Sequence, residues 1–260
     1  MAKFERALED LRLLLSKVDR AEFENQQTFW KRDKWIDPKV FRYSGKNPHF
    51  AERSLDMLRR HSEFLMSHNQ LTRALVRDVV LKAECDNQRL LEAFVLVMAW
   101  GFPRNGYGPY RTSVMLESLA EQPMLLTRVV TALSEKSSQS TTDAYEDLLR
   151  IEQCGPAFAT KFLYFASPDD YRVPIFDAVV ARWLNSHGRA GAVDGLLRLN
   201  SQNRKHFGPF FDFCRKASSE LGERDPGLIE YVMFVDQQAR ELEIQIKGLP
   251  KWIHASVRVN

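Results

Sequence analysis

The sequence lacks most of the features that mark disulfide-stabilised and metal-binding proteins. Its 260 residues include only three cysteines, Cys85, Cys154 and Cys214, and no two of them form a Cys-x-x-Cys pair. This scarcity argues against a disulfide framework and against a zinc site. The six histidines show no spacing typical of metal ligands, so we expect neither a metal nor another cofactor.

Long apolar runs are also missing. No stretch of eighteen uninterrupted apolar residues occurs, so we expect no membrane span. The first residues, Met1–Arg6, have the pattern of a charged amphipathic helix and lack the apolar core of a signal peptide. These features predict a cytoplasmic protein.

The net charge is small, but it is unevenly distributed. The whole chain carries a formal charge of +3, while residues 161–216 contain nine Lys and Arg against five Asp. The positive excess therefore lies in the C-terminal half. Such an excess suits phosphate binding, although a solvated basic face would give the same pattern.

Apolar residues recur at helical spacing through most of the chain, and strand signals are few. The run Leu90–Trp100 is apolar on nearly all sides, which predicts a buried central helix. The polar stretch Ser137–Thr142 is the best candidate loop between an N-terminal lobe, residues 1–136, and a C-terminal lobe, residues 137–260. The predicted helices span 70–85, 87–100, 111–120, 122–135, 143–151, 157–166, 177–187, 204–221 and 226–243.

Residues 101–111 interrupt the helical pattern. Three glycines and two prolines fall within these eleven residues, which predicts a loop in place of a helix.

Residues 143–166 predict two helices joined by a tight turn. Asp143 is followed three residues later by Glu146, as in a capping box at a helix start. Gly155 suits unusual backbone dihedrals in the turn, and Pro156 suits the first position of the next helix. The free N–H groups of that helix could bind a phosphate. A plain helical corner within a core is the alternative interpretation.

Lys161 and Asp177 are the two residues of this region most suited to chemistry. Lys161 is the only charged residue in 156–168, and burial in apolar surroundings lowers the pKa of an amine, which favours a nucleophile. A lysine whose stem packs while its head reaches water is the alternative. Asp177 precedes a predicted helix, so it suits an N-cap and also a carboxylate that stabilises a cationic sugar near Lys161.

Together these residues resemble the helix-hairpin-helix DNA glycosylase superfamily, and within it the 8-oxoguanine glycosylase branch. The matching segments are Cys154-Gly155-Pro156, Val173-Pro174-Ile175-Phe176-Asp177 and Phe207-Gly208-Pro209-Phe210. The resemblance implies an all-α, two-lobed fold with the active-site cleft between the lobes. It also implies a monomer that acts on double-stranded DNA by flipping a base out of the helix.

The same resemblance implies roles for individual residues. Lys161 and Asp177 would be catalytic, with Lys161 giving strand nicking if it attacks the sugar. Arg104 and Arg111 would reach phosphates, and aromatic residues near them would stack on a base or wedge a base step. The hairpin contacts to DNA would come from Gln153, Cys154, Gly155 and Ala157. The base pocket would be lined by Phe102, Tyr107, Tyr110, Phe210, Arg215 and Ser219. A loop at 101–111 that merely packs on the core remains the alternative for its residues.

Several positions depart from the family pattern. Gln153 stands where the turn normally has glycine, and Lys161 lies one turn after Ala157, where many members carry the lysine. Arg215 and Ser219 replace the glutamine and the aromatic residue that fit the pocket to 8-oxoguanine. The substrate therefore stays open between an oxidised purine and a hypermodified phage base such as glucosyl-hydroxymethylcytosine, the latter implying antiviral defence.

Two non-enzymatic interpretations also fit the sequence. One is a DNA-binding protein that retains the hairpin without catalysis. The other is an all-helical protein-interaction module.

Overall fold

The fold is seen in a computed structural model that describes part of the chain, namely residues 2–25, 27–28, 35, 56–61, 68, 70–101, 107–187 and 206–247. Within these residues eleven α-helices account for almost all regular structure, which confirms the all-α prediction. The helices are α1 (Ala2–Leu15), α2 (Arg20–Glu24), α3 (Arg73–Ala83), α4 (Asn87–Gly101), α5 (Tyr107–Ala120), α6 (Leu125–Ser134), α7 (Ser138–Leu148), α8 (Pro156–Ala166), α9 (Ala178–Ser186), α10 (Phe207–Glu220) and α11 (Pro226–Lys247).

Two minor elements complete the described fold. The strands β1 (Gln27–Thr28) and β2 (Leu71–Thr72) pair antiparallel, with Gln27 opposite Thr72. A single 3₁₀ turn at Asp169–Tyr171 follows α8. Both are too short to change the helical class of the protein.

Helix α4 lies at the centre of the core, as its apolar run predicts. Leu90 and every residue from Ala93 to Trp100 are buried, and the helix packs against α3, α5, α6 and α8. Each fully buried large apolar side chain contributes about 1.5–3 kcal/mol relative to exposure. The hydrophobic effect therefore fixes α4 as the support for the helices around it.

Helix α8 is the second inner helix, and both of its ends are fixed. Gly155 is its N-cap residue and Pro156 its first residue. At the other end the buried guanidinium of Arg77 donates to the carbonyl oxygens of Tyr164 and Ser167, at 3.3 and 2.9 Å. These bonds satisfy acceptors that the helix itself leaves open. These contacts keep α8 from shifting along its axis, and α8 is the helix that carries Lys161.

The structure corrects the predicted loop at 101–111. Residues 107–111 form the first turn of α5, while 102–106 lie outside the described residues. Pro109 is the third residue of the helix, where an N–H has no intrahelical partner. Proline is therefore tolerated there, although the composition of the segment argues for a loop.

The structure also corrects the predicted loop at 137–142 and the predicted capping role of Asp143. Helix α7 begins at Ser138, and the Ser137 hydroxyl accepts from the Ser140 N–H at 3.0 Å as its N-cap. Asp143 therefore lies inside the helix. The division of the chain into lobes at residue 137 stays a prediction.

The two ends of the described chain meet in one continuous core. Phe4 of α1 packs edge-on against Phe213 of α10 with ring centroids 5.8 Å apart, and Phe23 packs against Tyr231 at 4.9 Å. The first helices are therefore anchored by the last. Across the described helices, none has the length and hydropathy needed to cross a membrane.

Candidate active site

The turn predicted to be a helix-hairpin-helix element lies between α7 and α8. Gln153 adopts a φ of +65°, the left-handed region that glycine favours. For a residue with a side chain this conformation costs roughly 1–2 kcal/mol. Gln153 therefore takes the backbone conformation of the usual glycine, so the turn keeps its shape with some strain.

Gly155 does not supply the unusual dihedral that its position predicts. Its φ and ψ are −87° and 175°, ordinary extended values. A Cβ added there would meet nothing within 4 Å. The prediction was wrong because the reversal of the chain occurs two residues earlier, at Gln153. What Gly155 provides is open space in front of the N-terminus of α8.

Arg111 is tied to the hairpin. Its guanidinium donates to the backbone carbonyl oxygen of Gln153 at 2.5 Å and lies 5.0 Å from the ring centroid of Phe158. This contact joins α5 to the strained turn and to α8. The predicted phosphate-binding arginine is therefore also a brace for the turn.

Cys154 is buried in the same turn. Its N–H donates to the carbonyl of Ile151 at 3.0 Å, and burial raises the pKa of its thiol to about 12. The thiol therefore stays protonated at neutral pH and is not a nucleophile. Its place is structural within the hairpin.

Lys161 occupies the one partly open face of α8. Ala157 and Lys161 are the two residues of this helix that are not buried, and their spacing of one turn puts them on the same face. The amine lies 5.2 Å from the ring centroid of Phe158. Gly101, at the end of α4, lies so close that a Cβ there would be 3.0 Å from Cδ of Lys161. The absence of a side chain at Gly101 thus leaves room for the lysine.

The surroundings of Lys161 favour its neutral form. Burial lowers the pKa of the amine, the nearby carboxylates of Asp177 and Glu230 oppose this, and Arg73 adds to it. Among the described residues no carboxylate comes within salt-bridge distance of the amine. Lys161 therefore keeps a reduced pKa together with access to solvent, the combination expected of a nucleophilic lysine.

Asp177 is the N-cap of α9, as its position predicts. Its Oδ1 accepts from the N–H groups of Val179 and Val180 at 2.9 and 3.1 Å. No described residue donates to Oδ2, and the side chain is only half-buried. One carboxylate oxygen thus fixes the side chain, and the other is left for a further contact.

Two hydroxyl groups hold the extended segment before Asp177 against α8. The Thr160 hydroxyl accepts from the Phe176 N–H at 2.9 Å and donates to the Pro156 carbonyl at 2.8 Å. Ser167 accepts from the Val173 N–H at 3.1 Å. Thr160 precedes Lys161 and Phe176 precedes Asp177, so the Thr160 bond fixes the lysine and the aspartate relative to each other.

A buried pair of charges, Arg73 and Glu230, interacts electrostatically with Lys161 and Asp177. Glu230 of α11 is 1% exposed and Arg73 of α3 is 3% exposed, with 4.0 Å between Oε2 and the guanidinium nitrogen. Burial raises the pKa of Glu230 to about 8, while Arg73 and Lys161 pull it down and Asp177 pushes it up. Glu230 therefore interacts with four charged groups, Arg73, Asp177, Lys161 and Asp225.

The predicted pocket residues occupy different places. Phe210 stacks on Phe176 with centroids 4.5 Å apart, next to Asp177. Arg215 instead approaches the Tyr171 hydroxyl at 3.4 Å and lies over the rings of Tyr171 and Phe211. Ser219 is exposed near the end of α10. The structure thus packs Phe210 against Phe176, the residue before Asp177, and gives Arg215 two aromatic neighbours.

The other residues predicted for the site lie in the first turn of α5 or outside the described residues. Tyr110 is half-buried and packs on the core in the first turn of α5. Phe102 and Arg104, as well as the side chain of Tyr107, lie outside the described residues. In the described parts of the chain, no three His, Cys, Asp or Glu side chains gather as a metal site would require.

Sequence reasoning missed Thr160, Arg73 and Glu230. The signal for Glu230 was available, because it is the only charge in the apolar run Leu228–Met233, just as Lys161 is in its helix. Thr160 gave no comparable signal, since its partner lies sixteen residues away.

Comparison with known proteins identifies a family for the chain. A family model described as "Putative 8-oxoguanine DNA glycosylase OGG-like protein" matches residues 24–234. No curated protein and no solved structure gives a significant match. The matched region includes both Lys161 and Asp177 and covers most of the chain. The protein therefore belongs to this OGG-like family.

Proposed function

We propose that the protein flips a damaged or modified base out of double-stranded DNA and cleaves its N-glycosidic bond, with Lys161 and Asp177 as the catalytic pair. The observation that carries this proposal is the hydroxyl of Thr160, which ties the Asp177 segment to the turn of α8 that holds Lys161. A partly open amine of lowered pKa and a carboxylate oxygen to which no described residue donates would then face the same substrate.

The chemistry would begin with extrusion of the target nucleotide, which costs a few kcal/mol in lost stacking. As the base leaves with the electron pair of the glycosidic bond, positive charge develops on the sugar, and the Asp177 carboxylate would stabilise it. The departing base takes up a proton.

Two nucleophiles could complete the reaction. If the neutral Lys161 amine attacks C1′, its nitrogen loses a proton, and opening of the sugar gives a Schiff base from which the strand can be nicked. If water attacks, Asp177 accepts its proton and an abasic site remains. The lowered pKa of Lys161 favours the first route, because only the neutral amine is nucleophilic.

The hairpin would hold the DNA backbone. The space in front of Gly155 lets a phosphate approach the N-terminus of α8, whose N–H groups and dipole attract anions. Arg111 would keep the strained turn in place through its bond to Gln153. We expect Gln153, Cys154, Gly155 and Ala157 to contribute backbone contacts in this way.

Two classes of substrate fit. An oxidised purine such as 8-oxoguanine would make this a repair enzyme, and a hypermodified base such as glucosyl-hydroxymethylcytosine would make it part of antiviral defence. Arg215 and Ser219, at the positions that the resemblance assigns to the base pocket, keep both classes open. We expect a cytoplasmic monomer in either case.

A panel of duplexes separates these options. Each duplex carries one 8-oxoguanine, one glucosyl-hydroxymethylcytosine or no modification, and mass spectrometry identifies the released base. Release from one modified duplex identifies the substrate class. Binding to all duplexes without release would favour the non-catalytic DNA-binding protein, and lack of salt-sensitive binding would favour a protein-interaction module.

Borohydride trapping then separates the two routes. A covalent adduct in the wild type that Lys161→Gln abolishes and Lys82→Gln leaves intact supports attack by Lys161. Lys82 is a suitable control because it is an exposed lysine that pairs with Asp78 on α3. Base release without any adduct would instead support attack by water.

A further inference from the structure

The face of α8 that carries Lys161 continues into the core. Ala157 and Lys161 lie on its partly open end, while Tyr164 and Phe165, three and four residues after Lys161, are fully buried. Residues at these spacings share one face of a helix. At a rise of about 1.5 Å per residue, the two rings lie roughly 5 Å further along the helix than the lysine. This separation is comparable with the length of a nucleobase measured from its sugar.

The buried end of this face packs against a guanidinium and an indole. Arg73 of α3 lies 5.1 Å from the ring centroid of Tyr164 and 5.0 Å from that of Trp100. The indole of Trp100 in turn packs edge-on against Phe165, with ring centroids 5.1 Å apart. Two further aromatic rings lie 4.8 and 5.4 Å from the guanidinium. Flat aromatic surfaces therefore surround a fixed positive charge.

Trp100 also borders the candidate active site directly. The next residue along α4 is Gly101, at which a Cβ would lie 3.0 Å from Cδ of Lys161. The backbone of α4 thus passes from the stem of the lysine to the indole within one residue. These contacts place Trp100 next to the catalytic lysine.

Two buried polar atoms beside the guanidinium have no partner among the described residues. They are Nε1 of Trp100, whose residue is 7% exposed, and Oε2 of Glu230, whose residue is 1% exposed. Oε2 lies 4.0 Å from the nearest guanidinium nitrogen of Arg73, which is too far for a hydrogen bond. The indole N–H only donates, and the carboxyl oxygen accepts. Because buried polar groups are nearly always paired, a donor and an acceptor in this position point to a polar ligand.

We propose that Trp100 and Glu230 recognise the edge of the flipped base. The indole N–H donates to a carbonyl oxygen or ring nitrogen of the base, and Oε2 of Glu230 accepts from a neighbouring N–H or amino group. Arg73 holds Glu230 in place among the aromatic rings. The inference rests on the proposed function in that the sugar of the flipped nucleotide lies at Lys161.

The ligand is therefore a base that carries an acceptor next to a donor. Both 8-oxoguanine and a modified cytosine carry such an edge. A site built to hydrogen-bond a substrate rejects a ligand that leaves its buried groups unpaired. The groups that determine specificity then lie on α4 and α11, in place of Arg215 and Ser219 on α10.

Binding to duplexes that are not cleaved tests this proposal without base release. One duplex carries a 2′-fluoro nucleotide whose base is 8-oxoguanine, a second carries glucosyl-hydroxymethylcytosine in the same form, and a reference carries tetrahydrofuran in place of the nucleotide. The fluorine disfavours positive charge on the sugar, so the base stays attached. The dissociation constant of the reference duplex divided by that of a modified duplex gives the gain in affinity due to the base.

Trp100→Phe keeps a ring against Phe165 and removes the N–H, so the gain should fall about fivefold while affinity for the reference duplex stays unchanged. Glu230→Leu removes the acceptor and should lower the gain in the same way, whereas Glu230→Gln keeps an amide oxygen and should retain most of it. Trp183→Phe is the matched control and should keep the full gain, because the buried indole of Trp183 already donates to Asp236 at 3.0 Å.

An unchanged gain in folded Trp100→Phe would overturn the proposal, and this variant decides alone if Glu230→Leu does not fold. Equal affinity of the wild type for the modified and reference duplexes would overturn it as well. If the wild type releases a base while Trp100→Phe keeps the full gain, this inference fails and the proposed function stands. If the gain is lost in Trp100→Phe but the wild type releases no base, base recognition stands and the proposed catalysis fails.

Discussion

Replacing Glu230 by glutamine should flatten the dependence of the protein's stability on pH. The ordinary pKa of a glutamate is 4.5, and burial raises that of Glu230 to about 8 in the folded protein. The folded state therefore binds this proton more tightly than the unfolded state. The resulting contribution to stability is fully present below about pH 4.5 and is lost as the pH rises toward 8.

The size of this effect follows from the same two values. At about 1.4 kcal/mol per pH unit, the interval from 4.5 to about 8 corresponds to about 5 kcal/mol. That is comparable with the entire stability of a marginal domain, which is roughly 5 kcal/mol. A glutamine in this place stays neutral at every pH and should not show the loss.

Urea unfolding followed by tryptophan fluorescence measures the effect. The free energy of unfolding is determined at intervals from about pH 4.5 to pH 8 for the wild type, Glu230→Gln and the surface control Glu241→Gln. The free energy of unfolding of the wild type minus that of Glu230→Gln should fall by several kcal/mol between about pH 4.5 and pH 8. In the upper half of this pH range the unfolding free energies of the wild type and of Glu241→Gln should change in parallel. A constant difference would refute the reasoning, because it would mean that Glu230 titrates alike in the folded and unfolded protein.

Substitutions at three further positions test the site. Gly101→Ala places a Cβ 3.0 Å from Cδ of Lys161. Base release should therefore slow about tenfold, while the free energy of unfolding should change by less than about 1 kcal/mol. An unchanged rate of base release would mean that the position of the lysine is not critical. Gln153→Gly should raise the free energy of unfolding by about 1 kcal/mol, because glycine adopts the positive φ without strain. Gln153→Ala should give no such gain, and equal effects of the two substitutions would contradict strain at this residue. Asp177→Ala should lower the melting temperature, because about 1 kcal/mol of helix capping is lost, whereas Asp177→Asn should leave the melting temperature nearly unchanged. Equal melting temperatures of the two variants would argue against the capping role of Asp177.

Local signals in the sequence predicted the parts of the fold that local chemistry decides. The apolar run from Leu90 to Trp100 predicted the buried helix α4, because a helix that is apolar on all sides has no stable place at the surface. Pro156 at the first position of α8 and Asp177 as the cap of α9 were predicted on the same basis. In each case the residue's own geometry or hydrogen bonding determines its place.

Amino-acid composition gave wrong predictions where the position of a residue within a helix mattered more than its type. The glycine and proline content of 101–111 predicted a loop, yet residues 107–111 begin α5, because the first turn of a helix tolerates Pro109. The serine and threonine content of 137–142 also predicted a loop, although Ser137 caps a helix there.

The contacts that build the candidate site join residues distant in the chain, and no local pattern encodes these contacts. The bond from Arg111 to the Gln153 carbonyl spans 42 positions, and the Arg73–Glu230 pair joins α3 to α11. Packing around α4 and α8 brings these residues together. The sequence singled out Lys161 and Asp177 as candidate catalytic residues, whereas the Thr160 bond that links their two segments became visible only in the folded protein.

Base release by Asp177→Asn tests the central claim most directly. Asparagine caps a helix about as well as aspartate, so this variant should fold and bind DNA like the wild type while lacking the negative charge. Single-turnover release of the base from the preferred modified duplex, measured by mass spectrometry, should fall by a factor of about 100 or more. If the folded variant releases the base at the wild-type rate, Asp177 is not part of the catalytic pair and the proposed site is wrong.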